Sequence, residues 1–74
     1  MTERDPRVNP KAGDVLRDAT GWTYTVLSRK DEVITSDMTS MGGITMPLVS
    51  ILDGWIGLLK EEDLLPVEVI HASE

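Results

Sequence analysis

The sequence predicts a mainly β fold: a small, strongly bent sheet of about five strands with one short helical insertion. Three observations carry this. Residues 22–29 are almost all β-branched or aromatic until the last two, and they alternate between two faces. Turn-forming residues separate the short apolar runs along the chain. Residues 44–59, ITMPLVSILDGWIGLL, concentrate the large apolar side chains just past the midpoint, where they can seal such a sheet.

Each element is justified by its residues. Residues 1–12 alternate charge with proline (Asp5, Pro6, Asn9, Pro10), and each proline removes a donor and biases its predecessor toward extended geometry. This predicts an extended N-terminal arm, frayed at its start, ahead of one domain over residues 13–72. Asp14, Val15, Leu16 and Arg17 form a short strand, and Asp18, Ala19, Thr20 and Gly21 turn the chain before Trp22. In the next strand, Trp22, Tyr24 and Val26 share one face and Thr23, Thr25 and Leu27 the other. Lys30 and Asp31 make a tight connection, so residues 32–37 return antiparallel. MTSMGG at 38–43 lacks periodicity and ends in two glycines, which reads as a flexible loop tip.

Residues 44–46 add a little strand, and residues 47–59 have two readings. Leu48, Ile51, Leu52 and Trp55 fall at i, i+3, i+4 and i+7, with Pro47 near a first helical position and Gly54 placed as a C′ residue. Asp53-Gly54 between apolar runs is also a hairpin signal that would pair residues 49–52 with 55–59. Pro47 is awkward inside a paired strand, and that favours the helix. KEEDLL at 60–65 predicts one helical or 3₁₀ turn stopped by Pro66, residues 67–70 a closing strand, and residues 71–74 a frayed end. The sum is a partly open barrel of the SH3-like kind.

Seventy-four residues support one core at most. The chain has no cysteine and one histidine, His71, which closes the disulfide and metal routes by which small domains gain stability and leaves a homodimer or higher oligomer. No secretory segment and no long apolar run is present, so a soluble, intracellular protein is expected. The net charge of −6 is unevenly spread. Through Lys30 six basic residues face four acidic ones, a balance of +2; beyond it only Lys60 opposes nine acids, a balance of −8. An acidic half repels phosphate, which disfavours nucleic acid as a partner, and suits either a basic protein surface or simple solvation.

The run DPRVNPKAGDVLR at 5–17, the strand through Tyr24 and Val26, and MPLVSILDGW at 46–55 resemble a group of small phage and prophage proteins. Those carry a proline-bracketed arm, a Gly-Asp-Val-Leu-Arg opening strand, a curled sheet and a Leu-rich segment ending in tryptophan. The resemblance implies a phage or prophage binding module acting in the cytoplasm of a bacterial host, with inhibition of host defence as one such role. It carries no catalytic motif, and the acidic second half departs from the more basic versions of the group.

Chemistry-bearing patterns point away from catalysis. His71 with scattered carboxylates has no metal-ligand spacing, so no metal and no cofactor is expected. Ser28, Ser36, Ser40 or Ser50 would have to meet a base, and the only imidazole, His71, lies in the stretch expected to fray; no phosphate-cradling glycine motif is present either, so no enzyme is expected. The candidate binding residues are Trp22, Tyr24 and Trp55, as rings that line a groove or fill the core; Arg17 and Arg29, as cations beside those rings; and Met38 and Met41, which with Met46 cluster at the double glycine as adaptable thioethers that suit either a partner surface or a loop folded over one open barrel end. The leading expectation is a non-enzymatic module that contacts a host protein through the methionine-glycine loop and the acidic half. Two alternatives stand beside it. One is an oligomeric sponge whose inter-subunit pockets, edged by Arg17, Arg29, Trp22 and Tyr24, hold a nucleotide-like anion. The other is a weak nucleic-acid-binding accessory protein using the basic arm.

Overall fold

A computed structural model describes residues 4–73. Its strands are β1 (Val15–Arg17), β2 (Thr23–Lys30), β3 (Val33–Thr39), β4 (Thr45–Ile51) and β5 (Glu68–His71), with helix α1 (Leu52–Leu58) and a 3₁₀ turn (Glu62–Leu64) between the last two. All strands join one open antiparallel sheet in the order β4-β3-β2-β1-β5. Four strands form a meander and the last returns beside the first, as expected for a mainly β, SH3-like chain with one helical insertion.

The alternation read from β2 holds. Tyr24 and Val26 turn into the core with Leu16 of β1 and Ile34 of β3, while Thr23 and Thr25 lie on the outer face. A bulge between Val26 and Ser28 leaves Leu27 exposed. Asp31 opens the β2–β3 connection with φ +55°, a left-handed conformation that aspartate tolerates better than most residues.

The region after Ile44 differs from the favoured helix. Residues 48–51 belong to β4, the helix begins at Leu52, and Gly54 lies inside it instead of just beyond its end. The Asp53-Gly54 hairpin is likewise absent. Two physical reasons account for this. The i, i+3, i+4, i+7 pattern occurs twice, from Leu48 and again from Leu52 through Trp55 and Ile56 to Leu59, and the second set is the one that packs. Pro47 is tolerated because β4 is an edge strand. The α1 side chains Leu52, Trp55 and Ile56 cover the concave face of the sheet, with Leu59 and Val67 completing the core.

The first described residues do not form an extended arm. Asp5 accepts backbone bonds from Val8 and Asn9 in a tight turn, Pro6 and Pro10 are buried, and the Trp55 indole Nε1–H donates to the Pro6 carbonyl at 3.0 Å. Residues 4–12 therefore form part of the same packed body as the sheet. The predicted fraying at residues 1–3 and at Glu74 lies outside the described residues. Ser73 is tied down, its N–H donating to Asp14 at 2.6 Å.

Candidate interaction surface

One end of the sheet brings together the β1–β2 turn and the β3–β4 loop. The turn is fixed by Asp18, which is buried and whose Oδ1 accepts from the Thr20 N–H (2.9 Å), the Thr20 hydroxyl (2.6 Å) and the Trp22 N–H (3.1 Å). Its other oxygen accepts from the Tyr24 hydroxyl at 2.6 Å. Burial pushes the Asp18 carboxyl up, yet these four donors outweigh it and hold the carboxyl below its usual range. Burial and the same carboxylate push the Tyr24 hydroxyl well above the ordinary tyrosine range. The result is a rigid turn that holds Trp22 half-buried at the rim of the core.

The facing loop is tight as well. Ser40 N–H donates to the Ile44 carbonyl at 2.8 Å, Gly43 N–H to the Ser40 carbonyl at 3.0 Å, and Ile44 N–H to the Ser40 hydroxyl at 3.1 Å. This is a three-residue hairpin loop whose last residue, Gly43, takes φ +88° as the geometry requires. Met41 projects from it, 85% exposed, with its side chain laid against Gly21. Any Cβ at Gly21 would overlap that thioether, and φ +94° there also selects glycine. Ile44 is 64% exposed beside it, Met46 is exposed, and Met38 packs half-buried on the core opposite Met46.

Electrostatics frame this apolar end. Within residues 38–52 there is no ionisable side chain. The Ala19 N–H of the turn donates to the Leu64 carbonyl at 2.8 Å, which brings the exposed acids Glu61, Glu62 and Asp63 alongside. Asp31, Glu32 and Asp53 gather at the opposite end, where Val33 pairs with Ile51. The acidic half is thus dispersed: one group borders the methionine loop, another lies at the far end, and Asp37 on β3 and Glu68 on β5 stand apart from both.

The predicted binding residues separate into four sets. Trp22, Met38 and Met41 come together at this end, and Arg17 lies exposed on the outer face of β1, paired with Thr23 of β2 and Glu68 of β5. Tyr24 (1% exposed) and Trp55 (0%) are core residues, packed edge to face with centroids 6.3 Å apart, and neither lines a groove. Arg29 is a strap: its guanidinium donates to the Asn9 side chain, the Pro10 carbonyl at 3.0 Å and the Asp31 carbonyl at 2.9 Å. Within one chain, Arg17, Arg29, Trp22 and Tyr24 therefore do not converge on an anion pocket. The basic arm is likewise occupied, since Arg4 binds Asp14 and the Ser73 carbonyl, and Arg7 binds Asp5 and the Val67 carbonyl. An open groove of about 770 Å³ near Lys30, Thr35 and Ile51 contains none of the predicted residues.

Ile44, Met46, Val49 and Ile51 belong to the apolar stretch expected to seal the sheet, with Met46 also read as a thioether beside the double glycine, and all four are instead exposed. The signal that marks them is the uncharged run at 38–52 combined with edge-strand placement. Among the described residues no three His, Asp or Glu side chains gather as a metal site, and no helix is long and apolar enough to cross a membrane. No protein-family model, curated protein or solved structure matches the chain.

Proposed function

We propose that this chain is a non-enzymatic binding module of phage or prophage origin that docks on a host protein through Trp22, Met41 and Ile44, with Glu61, Glu62 and Asp63 as the rim. The observation that supports it most is Met41, which stands almost fully exposed on a hydrogen-bonded loop and is seated on a glycine that leaves room for it. A rigid turn and a rigid loop present adaptable apolar groups at little cost in conformational entropy. The apolar centre with a charged border matches the general anatomy of protein interfaces. The acids beside it favour a basic surface on the partner, and interference with host defence is the role such contact would serve.

Affinity capture from bacterial lysate tests this with the wild-type chain, Met41→Asp, and Glu32→Gln as a control at the far end of the sheet. The same host protein retained by the wild type and Glu32→Gln, and lost with Met41→Asp, supports the reading. Equal capture by all three, or none by the wild type, contradicts it.

A further inference from the structure

β4 is the long edge of the sheet, and its free side has an unusual donor–acceptor pattern. Ser40 and Ile44 form a hydrogen-bonded pair at the loop, and ladder partners alternate from there without a shift. Met46, Leu48 and Ser50 therefore bond to β3. The N–H and C=O groups of Thr45, Val49 and Ile51, and the carbonyl of Pro47, point away from the sheet. The short Thr39–Thr45 hydroxyl contact of 3.0 Å agrees with a non-hydrogen-bonded pair at that position. Pro47 offers no donor on this free edge. Ile51 precedes α1, so its carbonyl is already used by the first helical turn.

We infer that a second copy of this chain docks on β4, antiparallel, with Val49 opposite Val49 across a two-fold axis. This register sets Pro47 of each copy against Ile51 of the other, so the missing donor meets the carbonyl that needs none. Two bonds form between the Val49 residues and one from each Ile51 N–H to the opposite Pro47 carbonyl. Pro47, Val49 (63% exposed) and Ile51 (59%) then make one apolar row across the junction, with exposed Val33 beside it.

Charge selects this occupant. Two copies at −6 each repel over most of their surface, but residues 38–52 carry no charge to oppose one another. A basic partner is drawn instead to Glu61, Glu62 and Asp63, which lie off this edge; Asp37, opposite Pro47 on β3, is the one acid within β3 and β4 and flanks the row. The other edge, β5, is only four residues long, has a register irregularity against β1 and bears Glu68 and His71, all of which discourage pairing. Met41 and Ile44 stay free at the loop, so the inference stands independently of the host-protein reading.

Sedimentation equilibrium and site-specific crosslinking test it. The wild-type chain at micromolar to 100 µM concentration is expected at twice its 8.2 kDa protomer mass. Val49→Pro removes an N–H that β3 does not use, so it is expected to fold, by circular dichroism, and sediment as a monomer. Val49→Cys places two Cα atoms about 5.5 Å apart, within the roughly 4.4–6.8 Å span of disulfides. It is expected to crosslink under mild oxidation, whereas Thr45→Cys is not. A monomeric wild type, a dimeric Val49→Pro, a Val49→Cys that does not crosslink, or equal crosslinking at Thr45→Cys would each overturn the inference.

Discussion

Two buried carboxylates, Asp14 and Asp18, hold turns and ends in place. Asp14 is fully buried and accepts from Arg4, from the Lys11 N–H at 2.7 Å and from the Ser73 N–H at 2.6 Å, joining both ends of the described chain to the start of β1. Burial pushes its carboxyl up, but the Arg4 guanidinium and these backbone donors outweigh burial and hold it below the usual range. The folded pKa values of Asp14 and Asp18 therefore lie below their unfolded values, near 3.9, and the stability they confer is complete above about pH 4 and drains away as pH falls through the lower folded values. Urea midpoints measured from pH 6 to pH 2.5 are expected to hold steady and then fall in the acid range; a flat profile would show that neither carboxylate is specially stabilised. Tyr24→Phe removes one of the four donors to Asp18 and is expected to cost about 1–3 kcal/mol in denaturant unfolding. An unchanged midpoint would mean that the hydroxyl is not needed there.

At the scale of elements, the features legible in the sequence are those set by local rules. The alternation in residues 22–29 and the Pro66 stop act through neighbours in the chain and appear as expected, whereas the flexible tip expected over residues 38–43 is corrected: Met38 and Thr39 continue β3, and the remainder is a tight hydrogen-bonded loop. The misplaced helix start had a different origin. Whether Leu48, Ile51 and Leu52 continue a strand or begin a helix depends on β3 lying alongside, and Pro47 is acceptable only because no strand pairs on its other side within the protomer. Contacts between distant segments left no local mark either: Pro6 meets the Trp55 indole and Asn9 meets Arg29. Hence Tyr24, Trp55 and Arg29 looked available for a ligand and are structural. Inside α1, Gly57 has nothing within 4 Å of where a Cβ would stand. Gly57→Ala is expected to raise stability by about 0.5–1 kcal/mol through helix propensity alone. A loss of stability in thermal or urea unfolding would argue against a helix at 52–58.

For the molecule as a whole, the core is small: Leu16, Tyr24, Val26, Ile34, Trp55, Leu59 and Val67 are its buried apolar members. Much of the remaining apolar surface sits on β4 and its loop, in a chain whose charges lie elsewhere. Exposed apolar area concentrated on a rigid edge is what the proposed contacts would cover. In the function proposed above Trp22 belongs to the surface that meets a partner, while Trp55 belongs to the core. The two are the only tryptophans, so fluorine labelling separates them. With 5-fluorotryptophan incorporated and Trp22→Phe used for assignment, ¹⁹F NMR in bacterial lysate is expected to show the Trp22 resonance shifting on binding while the Trp55 resonance keeps its position. A Trp22 resonance that stays fixed while a captured partner is demonstrably bound would contradict the account.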